Sequence, residues 1–404
     1  MTDLETFRKE TRAWLEANCP AEMREPVKSE DDNCWSGRKW VFKNPAQKQW
    51  LEVMAAKGWT VPDWPVAYGG AGLSAEETKA LRAEMAKLGC RSPLSSFGIW
   101  MLGPALLKFG TKEQKTHYLP QIARGEIRWC QGYSEPGSGS DLVSLQTFGE
   151  DKGDHWVVNG QKIWTSQGML STHMFMLVRT EPDAPKHDGI TYLLIDLDQP
   201  GISRRPIKQM TGEEGNHTFC EFFFDNAETP VSWQVGERGK GWYVSRTTLK
   251  HERASIGSAD GLGNQFKKLV ELAKEVGRIS EPVIRDKLAQ IEGYVLSHRY
   301  TSFRLFSCAA AGENPGSVSL MMKLYLTEIG HEMALLAQEL IGEHAFIEPE
   351  GAGGRGPRGP RGPEKWMDQI MGSLGNSIAG GASNIQRNII GERGLGLPRD
   401  AMMS

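Results

Sequence analysis

The sequence contains no long apolar run, no marked excess of charge of either sign and no closely spaced cysteine pair. No window of about 18 residues is continuously apolar, so we expect no membrane-spanning helix. The formal net charge of −3 argues against a nucleic-acid-binding protein, because phosphate contacts favour a basic excess. The six cysteines include no Cys-x-x-Cys pair and the nine histidines no His-Glu-x-x-His motif, which predicts reduced thiols and no bound metal. The first residues are charged and lack the apolar core of a signal peptide, so we expect a cytoplasmic location.

What is present indicates a folded chain with three regions. The 404 residues are 39% hydrophobic and 24% charged, which is the composition of a globular protein of two or three domains. Residues 1–125 carry helical patterns, residues 126–235 carry short β-rich runs, and residues 236–404 return to the helical period. We therefore expect an N-terminal helical domain, a small all-β domain and a C-terminal helical domain with these boundaries.

Local signals predict individual helices, strands and loops. Ser74 with Glu77 and Thr111 with Gln114 have the spacing of capping boxes, and each pair predicts the start of a helix. The dipeptide Asn159-Gly160 predicts a hairpin turn between two short strands within residues 156–164. The remaining expectations are a first helix near residues 4–15, a loop over 58–72, an apolar run over 97–109, strands over 173–179, 190–197 and 218–224, helices over 247–272, 282–309 and 317–340, a last helix after Ser383, and a mobile basic loop of unassigned role over Gly351–Pro363.

Two segments at and within the β region carry polar groups suited to a ligand. Residues 134–141 alternate glycine with serine, which exposes backbone N–H groups and hydroxyls and suits a phosphate or pyrophosphate. The alternative is a flexible surface loop. Trp164 precedes the hydroxyl residues Thr165 and Ser166, a combination that suits stacking on a flat heterocycle with hydrogen bonds to its edge. The alternative is a tryptophan of the core.

A carboxylate lies on the apolar face of the first long helix after the β region. Glu252 follows Leu249 by three residues and precedes Ile256 by four, so the three share one face of a helix. A carboxylate there is costly unless it is paired or functional. One interpretation is a buried structural pair of Glu252 with Arg253. The other is a general base whose pKa is raised by burial, beside a cation that holds an anionic ligand.

Four segments together resemble the acyl-CoA dehydrogenase family. Residues 129–141 (WCQGYSEPGSGSD) resemble its flavin loop, and residues 159–166 (NGQKIWTS) resemble the flavin hairpin that follows. Residues 236–242 resemble the link into the second helical domain, and residues 380–387 resemble the segment that carries the catalytic glutamate in many members. The resemblance implies an α+β multidomain fold, with an N-terminal helical domain, a central small β-barrel or sandwich and a C-terminal four-helix bundle. It also implies FAD as cofactor and an acyl-CoA as substrate.

The resemblance assigns roles to particular residues. Glu252 is the expected catalytic base, because Gly380 stands where medium-chain members have a glutamate and Glu252-Arg253 matches the alternative position of isovaleryl- and long-chain members. Trp164 is expected to pack on the isoalloxazine ring. The expected cofactor-binding residues are Tyr133, Ser134, Ser140, Trp164, Thr165, Ser166, Arg278, Gly380 and Ser383, and the expected substrate-binding residues are Ser140, Arg253, Gly380 and Gly381.

Two departures from the family pattern concern the assembly. Arg278 lies in the counterpart of an Arg-x-x-Phe-Gly motif that reaches the neighbouring subunit's FAD in many members, and the rest of that motif is not kept. The glycines of a Gly-Gly-x-Gly cofactor segment are mostly replaced over residues 341–346. This pattern resembles bacterial members that pair unlike subunits and act on bulky acyl chains such as steroid side chains. The expected assembly is a homotetramer or homodimer, or an α2β2 heterotetramer with a second subunit of the family.

The implied reaction is α,β-dehydrogenation of an acyl-CoA to the trans-2-enoyl-CoA. Glu252 would remove the α-proton, the β-hydride would pass to flavin N5, and an electron-transfer flavoprotein would accept the electrons. Two alternatives stay open at this point. One is a non-catalytic or half-site partner subunit of a heteromeric enzyme, and the other is an acyl-CoA oxidase or flavin monooxygenase on the same fold.

Overall fold

A computed structural model describes residues 4–27, 32–35, 37–210, 219–256, 259–343 and 363–399. Within these ranges the side chains of residues 250–256, 259–260, 309–310, 363–365 and 367–368 are not described. The chain divides into two compact units. The first unit comprises Met1–Lys208 and Glu214–His251, and the second comprises Gln209–Glu213 and Glu252–Ser404.

Five α-helices of the first unit precede its sheet: α1 (Leu4–Asn18), α2 (Pro45–Ala56), α3 (Ala75–Lys87), α4 (Gly103–Phe109) and α5 (Lys112–Ala123). Both predicted capping boxes are confirmed. Ser74 caps α3 with Glu77, and Thr111 caps α5 with Gln114, each pair exchanging two hydrogen bonds of 2.8–3.2 Å. The apolar run over 97–109 is helical, but it begins as a π-helical turn over Gly98–Leu102.

Seven strands form one sheet: β1 (Trp129–Gly132), β2 (Phe148–Asp151), β3 (His155–Ser166), β4 (His173–Arg179), β5 (Ile190–Asp196), β6 (Ile202–Pro206) and β7 (Phe219–Pro230). The strand order is β1-β4-β2-β3-β7-β6, and β5 pairs with β4. The β1–β4 and β2–β4 pairs are parallel, and the remaining pairs are antiparallel. The predicted strands over 173–179 and 190–197 are present, and the short strands β1, β2 and β6 were not predicted.

The predicted Asn159-Gly160 hairpin is wrong. β3 continues through both residues as a single strand of 12 residues. The turn lies earlier, at residues 152–154, where the Lys152 N–H donates to the His155 carbonyl at 2.9 Å. Asn159 pairs with Phe148 of β2, and a side chain on Gly160 would come within 2.7 Å of Thr147. An Asn-Gly pair marks a turn only where the chain reverses, and here Gly160 allows two strands to approach closely.

The sheet is buried on both faces around β4. On one face of the sheet, Phe175 and Leu177 belong to a core that includes Leu106 of α4 and Tyr118 of α5. On the opposite face, the alternate residues Met174 and Met176 belong to a second core. This alternation follows the two-residue period of a strand. The N-terminal helices have a further core of their own, which includes Leu15, Trp50, Met54 and Leu81.

The second unit is helical. Its elements are α7 (Ala259–Glu275), α8 (Pro282–Ala311), α9 (Val318–Ile341), α10 (Pro363–Asn376) and α11 (Ser383–Ile389), and α6 (Gly241–Ile256) crosses from the first unit at Glu252. Of the helix predicted over 247–272, residues 247–256 are helical in α6 and residues 259–272 are helical in α7. Leu269, Ile284, Met333 and Trp366 bring four of these helices into one core. The loop predicted over Gly351–Pro363 lies outside the described residues, except for Pro363, where α10 begins. No helix in the described ranges combines the length and apolar character needed to cross a bilayer.

Candidate active site

The loop that follows β1 has a defined backbone with open glycines. Glu135 and Ser138 exchange two backbone hydrogen bonds of 3.0 Å across Pro136 and Gly137, which makes a tight turn. A side chain at Gly137 or Gly139 would meet no described atom within 4 Å. Packing inside the protein therefore does not require glycine at either position, and both leave the backbone open to a ligand from outside. Ser140 is exposed on the same loop, as a ligand-binding serine would have to be.

A buried ion pair fixes this loop to β3. Lys162 has no exposed surface and lies with its Nζ 2.7 Å from Oε1 of Glu135, which is itself buried. The same Nζ donates to the Tyr133 carbonyl at 3.1 Å, and the Ile163 N–H donates to the Ser134 carbonyl at 2.9 Å. The Glu135 carboxylate also accepts the backbone N–H groups of Gln146 and Thr147. The loop is thus held at both its start and its turn.

Both members of this pair are charged at neutral pH. Burial lowers the pKa of Lys162 to about 8, against the opposing effect of Glu135. Burial would raise the pKa of Glu135, but the Lys162 charge and the hydrogen bonds outweigh it and hold that pKa below its usual value. A buried, hydrogen-bonded pair of this kind is strongly destabilised by removal of one partner, because an uncompensated charge then remains inside.

Trp164 lies in a β-bulge that turns its indole outward. The β3–β7 register shifts between Lys162 and Thr165, and Trp164 has φ of 62°, in the left-handed region that bulky residues rarely adopt. The bulge places Lys162 and Thr165 both on the buried side, although they are three residues apart. Trp164 is 55% exposed, and its only described ring neighbour is Phe219, whose ring meets it edge-on. The core alternative for this tryptophan is therefore wrong.

Thr165 supplies a polar group that the described residues do not satisfy. Only 1% of the residue is exposed, and its Oγ1 has no hydrogen-bond partner in the described part of the chain. Buried hydroxyls are rarely left unpaired, because an unmade hydrogen bond costs about 1–3 kcal/mol. Ser166 is half-buried beside it. An exposed indole next to an unsatisfied hydroxyl fits a flat heterocycle with polar edges, such as the flavin that the resemblance implies.

Tyr133 and Ser134, the two other predicted flavin-loop residues, differ in how deeply they are buried. Tyr133 is 3% exposed, and its ring meets those of Phe175 and Tyr192 edge-on at 6.0 and 6.2 Å between centroids. Ser134 is half-buried directly before Glu135. The Tyr133 ring is therefore part of the core, and the cofactor contacts of Tyr133 and Ser134 stay predictions.

In the second unit, a turn after α10 carries Gly380 and Gly381. Both residues have positive φ, 64° and 101°, and a side chain on Gly381 would come within 2.3 Å of Nε2 of Gln386. Lys323 of α9 is buried and donates to the Asn376 and Gly381 carbonyls at 2.9 Å each. The turn is thus fixed by a lysine from a neighbouring helix, and the Ser383 N–H that follows it donates to the Ser377 carbonyl at 2.8 Å.

The remaining predicted residues of this unit are placed only in part. Arg278 donates to both carboxylate oxygens of Glu281 and to the Glu339 carbonyl, each at 2.8 Å, and its pKa is raised chiefly by the Glu281 hydrogen bond. These contacts are local, so a cofactor contact of Arg278 stays a prediction. Glu252 and Arg253 lie in α6, but their side chains are outside the described ones.

Sequence reasoning did not assign Glu135, Lys162 or Lys323. A signal was available for Lys162, which shares the inward face of β3 with Trp156 and Val158, where a lysine requires a partner. No comparable signal existed for Lys323, because its carbonyl partners lie more than fifty residues away along the chain.

Comparison with known proteins identifies the family. The models of the acyl-CoA dehydrogenase N-terminal, middle and C-terminal domains match residues 2–126, 130–227 and 239–395. The acyl-CoA dehydrogenase IpdE1 of Mycobacterium tuberculosis is 37% identical over 404 residues, which cover 99% of this chain and 100% of the relative. Among solved structures, the Tcur3481-Tcur3483 steroid ACAD has a TM-score of 0.75 at 28% identity and covers 98% of each chain. The ChsE4-ChsE5 complex from Mycobacterium tuberculosis has a TM-score of 0.73 at 28% identity and covers 99% of each chain.

These matches span the whole chain in the order helical, β, helical, and they confirm the predicted fold class. They also confirm the predicted enzyme class, an oxidoreductase, and the predicted cofactor, FAD. The chain belongs to the acyl-CoA dehydrogenase family.

Proposed function

We propose that this protein catalyses the FAD-dependent α,β-dehydrogenation of an acyl-CoA thioester to the trans-2-enoyl-CoA. The observation that carries the proposal is the adjacent pair in β3, an outward Trp164 in a bulge and a buried Thr165 hydroxyl that no described residue satisfies. The anchored loop with its open glycines supports the same conclusion, because a backbone with open space beside it suits the approach of a pyrophosphate.

Glu252 is the proposed base for the α-proton. A carboxylate takes such a proton efficiently only where burial brings its pKa towards that of the activated carbon acid. The apolar pattern around Glu252 supports such an environment. The backbone N–H of Gly380 is proposed to donate to the thioester carbonyl, since a backbone donor does not depend on the side chain that this position lacks. When bound, FAD supplies at N5 the acceptor for the β-hydride.

The other predicted site residues keep their proposed roles. Trp164 packs on the ring, with Thr165 and Ser166 near its reactive edge. The remaining assignments are Tyr133, Ser134, Arg278, Gly380 and Ser383 for the cofactor, Ser140 for the cofactor and the CoA moiety, and Arg253 and Gly381 for the substrate.

The proposed substrate is an acyl-CoA with a bulky or branched acyl chain. A solved structure of similar fold and 28% identity is a steroid ACAD, which supports this choice. The chain itself supports it through residues 380–382, Gly380-Gly381-Ala382, which remove side-chain volume from the segment proposed to face the α-carbon.

The proposed assembly is an oligomer of family subunits that passes electrons to an electron-transfer flavoprotein. The ChsE4-ChsE5 structure is a complex of two differently named chains, which supports an α2β2 heterotetramer, and a homotetramer or homodimer is the other composition. Native mass spectrometry of the purified protein, alone and co-produced with a second family subunit, separates these compositions. The domain partition 1–125, 126–235 and 236–404 is also kept as a proposal.

The proposal is tested by the visible spectrum of the purified protein and its anaerobic response to acyl-CoAs. We expect a yellow protein whose flavin absorbance is bleached by at least one member of a panel of straight, branched, aromatic and steroid acyl-CoAs, with an enoyl-CoA as product. A colourless protein that acquires no colour with added FAD would instead indicate a non-catalytic partner subunit. Rapid reoxidation by oxygen with release of peroxide would indicate an oxidase, and a hydroxylated product would indicate a monooxygenase.

A further inference from the structure

Two cysteines outside the proposed active site lie together at the ends of two N-terminal helices. Cys19 follows α1, with its N–H donating to the Leu15 carbonyl at 2.9 Å, and Cys90 follows α3, with its N–H donating to the Met85 carbonyl at 2.8 Å. Cys19 is buried in the apolar core of these helices and Cys90 packs against it, close enough for each thiol to be the main influence on the pKa of the other. They are 71 positions apart in the sequence, so tertiary structure alone brings them together.

The backbone holds the two cysteine segments in register. The Arg91 N–H donates to the Met23 carbonyl at 2.8 Å, which connects the residue after Cys90 to the turn after Cys19. On the other side of Cys90, a side chain on Gly89 would come within 3.2 Å of the Arg24 carbonyl. The segment that follows Cys19 is therefore in contact with the chain on both sides of Cys90.

A guanidinium completes this cluster. Nη2 of Arg24 donates to the carbonyls of Leu15 and Glu16, at 3.2 and 2.7 Å, and its Nε is buried with no partner among the described residues. The hydrogen bond from Cys90 and the charge of Arg24 lower the pKa of Cys19 to about 7 against the effect of burial, whereas the pKa of Cys90 is raised. These opposite directions make Cys19 the thiol of the pair that ionises more readily.

We propose that Cys19 and Cys90 form a reversible oxidation site at which a small hydroperoxide converts the two thiols into a disulfide. The Cys19 thiolate attacks the terminal peroxide oxygen, so that an S–O bond forms, the O–O bond breaks, and hydroxide leaves from hydrogen peroxide or an alkoxide leaves from an organic hydroperoxide. Cys90 then attacks the Cys19 sulfenic acid, the S–S bond forms, the S–O bond breaks and water leaves with the Cys90 proton. The pair loses two electrons, which reduce the peroxide.

The other buried cysteines of the sheet lack these features. Burial raises the pKa of Cys130 and of Cys220, which keeps both as thiols. Cys34 is buried in a different apolar cluster from Cys19 and Cys90. The proposed site therefore differs from these three cysteines, and reduction by a dithiol restores it.

Peptide mapping of the purified full chain tests the proposal. After treatment with one to a few equivalents of hydrogen peroxide, free thiols are alkylated and the protein is digested without reduction. We expect a disulfide-linked pair of peptides containing Cys19 and Cys90, which dithiothreitol converts to two alkylatable peptides. The rate of its formation should rise as the pH increases through about 7, since Arg24 and Cys90 are the ionisable groups that act on Cys19.

Single variants separate the two thiols. In Cys90→Ser, dimedone should trap a sulfenic acid on Cys19, and in Cys19→Ser the oxidation of Cys90 should be at least about tenfold slower. Cys34→Ser, which removes a thiol from outside the cluster, should form the Cys19–Cys90 disulfide at the wild-type rate. One contradicting result can be obtained with the wild-type protein and so does not depend on the folding of a variant: oxidation of Cys308 while Cys19 and Cys90 stay alkylatable would overturn the proposal. Dimedone labelling of Cys90 in preference to Cys19 would also overturn it.

Discussion

In β3, Trp164 is exposed and Thr165 is buried, which is the reverse of what strand alternation from the buried Lys162 predicts. The bulge between Lys162 and Thr165 produces this arrangement, because it interrupts the alternation that would otherwise turn Trp164 inward. The strained φ of Trp164 and the unsatisfied Thr165 hydroxyl are both unfavourable in the protein alone. Both are explained if a bound flavin receives the indole face and the hydroxyl.

The variant Thr165→Val is expected to weaken cofactor binding without destabilising the apoprotein. Because the Thr165 hydroxyl has no partner among the described residues, its loss should leave the apoprotein's free energy of unfolding unchanged or slightly raised. The affinity for FAD should fall by roughly tenfold, the value of one hydrogen bond of ordinary strength. Urea unfolding of the apoprotein and a fluorescence titration with FAD measure the two quantities.

Thr229→Val is the matched control. Thr229 is an equally buried threonine of β7, but its hydroxyl donates to the Leu194 carbonyl. This variant should lose about 1–2 kcal/mol of apoprotein stability and keep the wild-type FAD affinity. Equal stability losses in Thr165→Val and Thr229→Val, with FAD affinity unchanged in both, would show that the Thr165 hydroxyl has a partner within the protein and does not face the cofactor.

Trp164 and Thr165 could be predicted from their residue types and from the family motif, and not from periodicity. The family motif named these positions, whereas strand alternation from Lys162 would have turned Trp164 inward. The bulge depends on which residues of β7 oppose β3, and that register is a property of the folded sheet. The ion pair of Glu135 and Lys162 was within reach of the sequence, because a lysine on an inward strand position requires an anion.

At the scale of the elements, the parallel pairing of β1 with β4 buries a histidine. His173 begins β4 opposite Trp129 of β1, and 7% of it is exposed. Burial lowers its pKa to about 4, although Asp196 acts in the opposite direction. The protein therefore keeps His173 neutral at a pH where the unfolded chain, with a pKa near 6.5, takes up a proton.

This burial predicts a pH dependence of stability. His173 has a lower pKa in the folded state, so its contribution is fully present above about pH 6.5 and is lost as the pH falls towards 4. Between pH 7 and 4 the wild-type protein should lose up to about 3 kcal/mol more stability than His173→Gln. Urea unfolding across this range measures the difference. His187→Gln, at an exposed position, should follow the wild-type profile, and parallel profiles for wild type and His173→Gln would contradict the prediction.

The Gly380–Gly381 turn predicts a catalytic effect of a distant lysine. In Lys323→Met the Asn376 and Gly381 carbonyls lose their shared donor, so the turn loses the contact that fixes it. If the Gly380 N–H polarises the thioester, kcat should fall by roughly 100-fold while the FAD content stays at the wild-type level. Steady-state kinetics and the ratio of flavin to protein absorbance measure both.

Lys287→Met serves as the control for that prediction. Lys287 is a partly exposed lysine that lies in α8 and pairs with Glu339 instead of with the carbonyls of the turn. Its removal should change stability by less than about 0.5 kcal/mol and leave kcat unchanged. A wild-type kcat in Lys323→Met would show that fixing the Gly380–Gly381 turn does not contribute to catalysis.

Elements with their own local signals were predicted, and elements that depend on partners were not. The capping boxes at Ser74 and Thr111 are local side-chain contacts, and the runs that became β4 and β5 are continuously apolar because both faces of these strands are buried. The Asn159-Gly160 hairpin failed because strand pairing on both sides of β3 outweighed a local turn preference. α10 was missed because it follows directly on a segment rich in glycine and proline.

At the scale of the whole molecule, the order of helical and β regions could be predicted because each region has its own period. The family matches confirm that order over nearly the entire chain. The catalytic geometry could not be predicted in the same way, because the proposed flavin residues of β3 and Glu252 come from different compact units. A motif can name residues in both units, but it contains no distances between them.

The most direct test of the account is the anaerobic reduction of the flavin in Glu252→Gln, measured by stopped-flow absorbance with the acyl-CoA that bleaches the wild-type protein fastest. We expect the variant to keep its FAD, to show a shifted flavin spectrum when the acyl-CoA binds, and to be reduced at least about 1,000-fold more slowly. Glu271→Gln, which alters an exposed carboxylate of α7, should be reduced at the wild-type rate. Full reduction of Glu252→Gln at the wild-type rate would contradict the assignment of Glu252 as the base.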